Sequence, residues 1–316
     1  MGPRSKQLKA MGVKNMDEIN RPKFIMMVGV PGSGKSTISN DISCCENAVV
    51  ISSDGIREEL YGDPSIQGEA SDVFALMHNR VKEYLNLGYS VIYDATNMSR
   101  RDRKSALSIV PEYVIKECYV VWASIETCIK RDSMRTRTVG EDVIHKMLHR
   151  FEAPFYDEGF DKIEIIINED GWFDAVKYTQ DCVNAMKIPH DNKHHSLPIF
   201  EHCVSARDYA CSKNFDQIVI NAALFHDIGK PITKKFETYN GEPSEDAHYY
   251  QHQNVGAWMS YGISARPEMA WMISTHMDPF FDTKYYKRLP KYLKDYIDKL
   301  HDADVNADTW TNDKIK

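Results

Sequence analysis

Residues Gly29 to Thr37 read G-V-P-G-S-G-K-S-T and directly follow the apolar run Phe24–Val28. A buried strand, a glycine-rich turn and a helix start in this order are typical of a phosphate-binding loop. The glycines let the backbone wrap around a phosphate chain, and the amide groups at the helix start face its negative charge. The stretch predicts an α/β domain that binds ATP through Gly29, Pro31, Gly32, Ser33, Gly34, Lys35, Ser36 and Thr37.

Two side chains of this loop have distinct predicted roles. Lys35 would reach the β- and γ-phosphates, and the hydroxyl of Ser36 would bind Mg²⁺. ATP and Mg²⁺ are therefore the predicted cofactors of this part of the chain.

Length and composition limit the remaining possibilities. The chain has 316 residues and a net charge of −7, which suggests about two domains of roughly 150 residues each. No run approaches the ~18 apolar residues of a membrane span, and the polar N-terminus lacks the apolar stretch of a signal peptide. The seven cysteines show no metal-ligand spacing. We therefore predict a cytoplasmic protein without a membrane partner.

Short apolar runs alternate with helical stretches in the first half of the chain. This alternation predicts a mostly parallel sheet with helices on both faces. The predicted strands are Phe24–Val28, Ala48–Ser52, Ser90–Asp94, Ile115–Val121 and Lys162–Ile167.

Helical periodicity dominates the second half of the chain, which predicts an all-α domain. We place the boundary near Lys187, after a helical stretch and before a polar, His-rich connector. The predicted organisation is a flexible lead-in over residues 1–22, an α/β P-loop domain over 23–187 and an all-α domain over 188–316.

Polar side chains follow two further predicted strands, in Ser52-Ser53-Asp54-Gly-Ile-Arg57 and in Asp94-Ala-Thr-Asn97. The carboxyl ends of parallel strands border one crevice. Phosphoryl transfer requires a base for the acceptor and cations for the transition state. Asp54 suits the role of the base, and Arg57 could bind a phosphate of the acceptor. Asp94 could hold the metal or fix the acceptor. Alternatively, Asp54 caps the following helix and Asp94 is a turn residue.

Basic residues are concentrated in two later segments, 100–104 and 130–137. Arg131 and Arg135 lie four residues apart, so on a helix they would share a face that closes over the phosphates. The two segments would either line a groove for one strand end or form solvated helix surfaces.

The motif series resembles the kinase domain of the 5′-hydroxyl polynucleotide kinases. G-x-P-G-S-G-K-S-T, S-D-x-I-R, D-x-T-N and K-R-D-S-M-R occur in the order of that family, over about residues 23–167. The resemblance implies that Asp54 is the general base for a 5′-hydroxyl and that Arg57 contacts a phosphate of the acceptor. It also implies that Arg131 and Arg135 form the lid.

Histidine and aspartate dominate the polar residues of the second half, where an adjacent His-Asp pair offers two ligands at one place. Imidazole and carboxylate groups together suit Mn²⁺, Fe²⁺, Co²⁺, Ni²⁺ or Zn²⁺, and several helices can deliver such ligands to one centre. The candidate ligands are His202, His226, Asp227, His252, His276 and Asp304.

This region resembles the HD phosphohydrolase superfamily, most clearly in Ala222-Ala-Leu-Phe-His-Asp-Ile-Gly-Lys-Pro231. The resemblance implies a first metal bound by four residues and a second bound by His252 and His276, with Asp227 bridging the two. The four ligands of the first metal would be His202, His226, Asp227 and Asp304. Lys230 would contact the scissile phosphate. His252 and His276 are alternatively outer-shell or substrate-binding residues, and His195 is a further candidate.

The two resemblances together imply a bifunctional nucleic-acid end-healing enzyme. One half would phosphorylate 5′-hydroxyl ends, and the other would remove or open 2′,3′-(cyclic) phosphates, with RNA favoured and a ligase acting downstream. Two alternatives remain: a nucleoside or small-molecule kinase fused to an HD nucleotidase, and an ATP-binding module that regulates an HD hydrolase.

Overall fold

The N-terminal half is built on a parallel sheet. The structure, a computed structural model, describes residues 21–193 and 196–315; residues 1–20 of the predicted lead-in and His195 lie outside them. The sheet has five strands in the order β2-β3-β1-β4-β5. They are β1 (Lys23–Val28), β2 (Ala48–Ser52), β3 (Ser90–Asp94), β4 (Ile115–Trp122) and β5 (Lys162–Ile167).

Strand register brings the predicted motifs to one edge. Strand β1 is apolar and completely buried from Phe24 to Val28, as expected of a central parallel strand covered on both faces. Met27 pairs with Asp94 of β3, and Ser52 at the end of β2 also pairs with Asp94. The segments that follow β1, β2 and β3 therefore leave the sheet side by side.

Helices cover both faces of this sheet. They are α1 (Lys35–Glu46), α2 (Ser53–Tyr61), α3 (Ala70–Asn86), α4 (Arg100–Leu107), α5 (Ile125–Ser133), α6 (Glu141–His149) and α7 (Ala175–Ala185). A single 3-10 turn, Tyr156–Glu158, precedes β5.

The C-terminal half is helical, with one short hairpin. The helices are α8 (Ile199–Ser212), α9 (Gln217–Phe225), α10 (Lys230–Thr233), α11 (His252–Ile263), α12 (Pro267–Thr275), α13 (Asp278–Phe281), α14 (Lys284–Arg288) and α15 (Lys291–Ile315). The antiparallel hairpin consists of β6 (Lys235–Glu237) and β7 (Pro243–His248). No helix in the described residues is both long and apolar enough to cross a membrane.

These elements confirm the predicted fold class, and they differ from the sequence pattern in two places. Helix α2 begins directly after β2, and Ser52 both ends the strand and caps the helix. No turn residue separates the two elements, so the sequence lacks the Gly or Pro signal that usually marks such a boundary. The strands of the hairpin are largely exposed and lack apolar alternation, so the helical prediction for this region missed them.

The two halves pack against each other through one continuous apolar core. Trp122 donates its indole N–H to the carbonyl of Trp258 at 2.8 Å, and Trp258 donates to the carbonyl of Ala123 at 3.2 Å. A Cβ built at Gly262 would lie 2.5 Å from the ring of Trp122. Strand β4 and helix α11 are therefore in direct contact, which places the two predicted sites on one packed body.

The basic segment 100–104 is only partly a solvated surface. Arg103 is fully buried and donates to both carboxylate oxygens of Glu158, at 2.8 and 2.7 Å. It also donates to the carbonyls of Asn97 and Met98. Such a buried pair is held by its hydrogen bonds, so Arg103 supports the turn after β3 and does not line a groove.

Candidate functional site

A cavity of about 620 Å³ opens at the carboxyl edge of the sheet. It collects residues from the ends of β1, β2 and β3 and from the segment after α5. Among its lining residues are Gly32, Gly34, Lys35, Ser36, Asp54, Arg57, Asp94, Arg135 and Arg137. The structure thus brings together most residues predicted for the kinase half.

The glycines of the loop are required by close contacts. Gly32 has φ 80° and Gly34 has φ 93°, which favour residues without a Cβ. A Cβ at Gly32 would lie 2.1 Å from the carbonyl oxygen of Cys128, and one at Gly34 would lie 2.1 Å from the amide nitrogen of Asn168. That amide donates to the carbonyl of Ser33 at 2.7 Å, so the loop is held tightly against the rest of the domain.

Lys35 and Asp94 bring opposite charges into the cavity. Burial lowers the pKa of Lys35, an effect that the charge of Asp94 partly opposes. Burial raises the pKa of Asp94, while Lys35 and a hydrogen bond from Ser36 act in the opposite direction. Ser36 and Asp94 both line the cavity, and hydroxyl and carboxylate oxygens are groups that suit a hard cation such as Mg²⁺.

Asp54 and Arg57 lie on the first turns of α2. The helix is capped by Ser52, whose hydroxyl accepts from the amide of Gly55 at 3.0 Å, so capping does not account for Asp54. The side chain of Asp54 is 66% exposed, and its Oδ1 lies 3.0 Å from Nη1 of Arg57, which is 13% exposed. The buried Nε of Arg57 makes no hydrogen bond to any described residue.

Arg131 and Arg135 do not share a helix face, in contrast to the expectation from their spacing. Helix α5 ends at Ser133, so Arg135 follows the helix and lines the cavity. Arg131 stays on the helix and donates to the carbonyls of Asn168 and Gly32, at 2.8 and 3.4 Å. It also pairs with Asp170 at 2.8 Å. Arg131 thus stabilises the loop, and Arg135 lines the cavity.

A second cluster lies in the helical half, where all six predicted metal ligands meet. Three groups of described residues have ligand atoms within 4.8 Å of one another. Two of them contain only predicted ligands, with His202, His226 and Asp304 in one and Asp227, His252 and His276 in the other. The third consists of Cys203, His226 and Asp227. Helices α8, α11 and α15 contain His202, His252 and Asp304, and the other ligands directly follow the ends of α9 and α12.

Asp227 connects the two groups through its separate oxygens. Its Oδ2 lies 3.4 Å from Nε2 of His226, and its Oδ1 lies 3.2 Å from Nε2 of His252. Asp304 Oδ1 is 2.9 Å from His202 Nε2 and 3.3 Å from His226 Nε2. This division of one carboxylate is the geometry that a bridging ligand requires.

Backbone carbonyls orient the imidazole rings. The Nδ1 atoms of His226, His252 and His276 lie 2.8, 2.9 and 2.7 Å from the carbonyls of the residues three positions earlier. Such contacts determine the tautomer and direct Nε2 toward a metal. The buried Nε2 of His226 makes no hydrogen bond to the described residues. A metal ion that coordinates this nitrogen would fit the site.

The charges of the cluster suit divalent ions. Burial alone would raise the pKa of Asp227, but Lys230 and His226 lower it well below its usual range. Burial and the neighbouring histidines lower the pKa of His276 to about 3, which keeps that ring neutral. Metals bind imidazole in its neutral form. Burial opposes the charged form of His226, but Asp227 and Asp304 raise the pKa of this ring well above its usual value, so a metal must displace a proton there. The six predicted ligands offer nitrogen and oxygen atoms, which suit Mn²⁺, Fe²⁺, Co²⁺, Ni²⁺ or Zn²⁺.

Two further residues complete the surroundings of Asp227. The ammonium of Lys230 lies 2.6 Å from Oδ2 of Asp227 and 3.1 Å from Nε2 of His190. His190 is 2% exposed and lies in the polar connector, where the sequence offered no periodicity that would single it out. The structure therefore adds His190 to the centre.

An open phosphate-loop cavity and a buried His/Asp centre together define a P-loop nucleotide-binding protein whose second domain brings together candidate metal ligands. Residues 24–154 match the family model described as an AAA domain, and residues 195–303 match the HD domain model. The chain therefore consists of a P-loop kinase-like domain followed by an HD domain, as the motifs predicted. No curated protein sequence matches it.

Several solved structures are partly similar. A chain of the "Pnkp1/Rnl/Hen1 RNA repair complex" is 25% identical, with a TM-score of 0.39 over 42% of this chain and 44% of that chain. A second structure of the Pnkp1/Rnl/Hen1 complex is 30% identical, with a TM-score of 0.33 over 35% of this chain and 39% of that one. A gluconokinase from Sinorhizobium meliloti is 19% identical, with a TM-score of 0.33, over 46% of this chain and 83% of that one. The chain spans less than half of either repair-complex chain.

Proposed function

We propose that the protein heals broken RNA by phosphorylating 5′-hydroxyl ends in the P-loop domain and by hydrolysing 2′,3′-(cyclic) phosphate ends in the HD domain. One observation carries the proposal. A phosphate-loop cavity that is lined by Asp54 and Arg57 lies on the same packed body as a separate centre with candidate metal ligands. Cleavage of RNA by attack of a 2′-hydroxyl leaves these two ends, and neither can be sealed directly.

The kinase cavity supports an acceptor that carries its own phosphate. Arg57 is nearly buried and bonds Asp54 through Nη1, while its Nε is unbonded among the described residues. A guanidinium N–H in this position suits a phosphate oxygen. Free nucleosides and sugars lack such a phosphate, so Arg57 favours an acceptor with a phosphodiester beside the reacting hydroxyl.

The proposed kinase step uses three side chains. Asp54 takes the proton of the 5′-hydroxyl, the oxygen forms a bond to the γ-phosphorus of ATP, and the bond to ADP breaks. Lys35 and Arg135 would stabilise charge on the transferred group. Ser36 and Asp94 are the residues that would hold Mg²⁺, which neutralises phosphate charge when bound.

The HD centre supports phosphoester hydrolysis. His202, His226 and Asp304 would hold one ion, His252 and His276 a second, and Asp227 would bridge them. Bound ions would activate water and stabilise phosphoryl oxygens. Lys230 places a positive charge beside Asp227, where it can bind a phosphate oxygen of the substrate, and His190 fixes that ammonium group.

One substrate with both reactive ends tests the proposal. An oligoribonucleotide with a 5′-hydroxyl and a 2′,3′-cyclic phosphate is incubated with ATP, Mg²⁺ and Mn²⁺, and both ends are analysed. We expect both ends to be converted by the wild type, only the 3′ end by Lys35→Ala, and only the 5′ end by Asp227→Ala.

Other outcomes identify the alternatives. Phosphate transfer to free nucleosides and not to the oligonucleotide would indicate a small-molecule kinase and overturn the end-repair proposal. A Lys35→Ala variant with altered hydrolysis, together with Asp54→Asn that changes nothing, would indicate an ATP-binding module that regulates the hydrolase.

A further inference from the structure

A second cavity of about 530 Å³ lies between the two domains. Its size falls within the roughly 300–1,000 Å³ of small-ligand sites. The kinase-like domain contributes Arg100, Arg150 and Glu152, and the HD domain contributes Gln253, Asp278 and Tyr285. None of these residues belongs to the two centres described above, and we call this cavity the interdomain cleft.

The cleft adjoins both centres, because several of its lining residues are close in sequence to residues of those centres. Arg100 begins helix α4, three residues after Asn97 of the motif that follows β3. On the other side, Gln251 and Thr275 also line the cleft, and each directly precedes a metal-ligand candidate, His252 or His276. A strand whose end enters the HD centre would therefore meet the cleft next.

Arg100 is held in place for ligand binding. It is 8% exposed, and its guanidinium carbon lies 3.3 Å from the centre of the Tyr285 ring. Its Nη1 lies 3.3 Å from Oε1 of Glu152, yet its buried Nε makes no hydrogen bond to the described residues. A buried guanidinium N–H without an acceptor is costly, so a bound oxyanion would satisfy it.

The other charges of the cleft complete a recognisable pattern. Arg150 is exposed and adds a second cation. Glu152 also accepts from the backbone N–H of Arg100 at 2.7 Å, so its carboxylate is committed to Arg100. Asp278 is a second carboxylate of the cleft, and its oxygens can accept a hydrogen bond from a hydroxyl group. A ribonucleotide presents a phosphate, which binds cations, and a 2′-hydroxyl, which can donate a hydrogen bond to a carboxylate.

We propose that the interdomain cleft binds one ribonucleotide unit of the substrate strand, with the phosphodiester on Arg100 and Arg150 and the ribose 2′-hydroxyl on Asp278. This inference rests on the proposed end-repair function and extends it, because it makes the HD reaction selective for an RNA strand over a mononucleotide. The cleft lies outside the reacting centre, so it contributes binding energy and not chemistry.

Substrate length provides the test. KM and kcat of the HD reaction are measured with a tetranucleotide and with a mononucleotide, each carrying a 2′,3′-cyclic phosphate. Arg150→Ala is expected to raise KM about tenfold for the tetranucleotide and to leave kcat and the mononucleotide reaction unchanged. Arg101→Ala is the matched control, because Arg101 is exposed on the same helix as Arg100 and does not line the cleft.

The ribose contact is tested with a tetranucleotide that carries one 2′-deoxyribose before the terminal residue. The wild type should bind it about fivefold more weakly than the all-ribose form, and Asp278→Ala should bind the two equally. An equal effect of Arg150→Ala on both substrate lengths, no effect on either, or persistent ribose preference in Asp278→Ala would overturn the cleft assignment.

A binding measurement separates this inference from the proposed function. Fluorescence anisotropy of an unreactive tetranucleotide with a 3′-hydroxyl needs no turnover. If neither substrate is hydrolysed, the end-repair proposal fails, while weaker binding by Arg150→Ala still supports the cleft. Equal binding by wild type and Arg150→Ala overturns it.

Discussion

The two centres differ in how much of their geometry exists before a ligand arrives. In the kinase-like domain, Asp54 is 66% exposed beside an open cavity. In the HD domain, His202, His226 and Asp227 are each at most 2% exposed. A site for two large substrates must stay open and complete itself on binding, whereas a metal centre benefits from ligands that are fixed in advance. Substitutions in the two centres should therefore act in different ways.

The largest effect is expected from Asp227→Asn. An amide cannot bridge two cations as a carboxylate does, so we expect at least a thousandfold loss of HD turnover. Kinase turnover should stay unchanged, since Asp227 lies in a separate buried centre. The measurement is hydrolysis of a 2′,3′-cyclic phosphate oligonucleotide, with bound metal determined by elemental analysis. Retained metal together with retained hydrolysis would contradict the bridging role of Asp227.

In the open centre, Asp54→Asn is expected to lower kinase kcat on the order of a hundredfold. ATP affinity should change little, because Asp54 is proposed to contact the acceptor. Steady-state kinetics with a 5′-hydroxyl oligonucleotide and ATP titration separate the two effects. Glu58→Gln is the matched control, since Glu58 is exposed one turn later on α2 and does not line the cavity. A similar loss in both variants would argue against a base role for Asp54.

Metal removal should lower the stability of the folded protein, because the proposed metal ligands lie in the buried centre of the HD domain. A ligand at about 100 times its dissociation constant stabilises the folded state by about 2.7 kcal/mol. We expect Mn²⁺ added after treatment with a chelator to raise the melting temperature of the wild type by several degrees, and that of Asp227→Asn much less. Thermal unfolding followed by circular dichroism measures this. Equal shifts in both proteins would place the bound metal elsewhere.

A smaller effect is expected at the contact between the domains. In Gly262→Ala, the new methyl group would press against the rings of Trp122 and Tyr178, each 2.5 Å from the ideal Cβ position. Overpacking of this kind costs about 1–3 kcal/mol, which the better helix propensity of alanine offsets by about 1 kcal/mol. Chemical denaturation should show a net loss of about 1 kcal/mol. Unchanged stability would indicate that the contact adapts freely.

Much of the fold was predictable because its signals are local. Three of the five predicted strands coincide with the observed ones, and Phe24–Val28 and Ile115–Val121 each fall one residue short. Buried parallel strands are continuous apolar runs, and the phosphate loop has a specific spacing, so neighbouring residues contain the information. Helix α2 has no Gly or Pro signal before it. The spacing of Arg131 and Arg135 suggested one helix, but that helix ends two residues before Arg135.

The candidate sites were predictable as residue types, but their detailed contacts were not. The exposure of Asp54, the unbonded Nε of Arg57 and the orientation of the imidazole rings follow from contacts between distant segments. His190 shows this most clearly, because it belongs to a connector without periodicity and reaches Lys230 only in the folded chain.

The sequence by itself determined a P-loop domain followed by a helical His/Asp domain, because strand periodicity, loop glycines and the HD motif are encoded by neighbouring residues. Only the tertiary structure decided that Asp227 divides its oxygens between two groups, that Arg103 is buried and that residues of both domains line a polar cleft. These properties depend on which distant helices pack together. Packing consists of contacts between residues that are far apart in sequence, so a local sequence pattern cannot predict it.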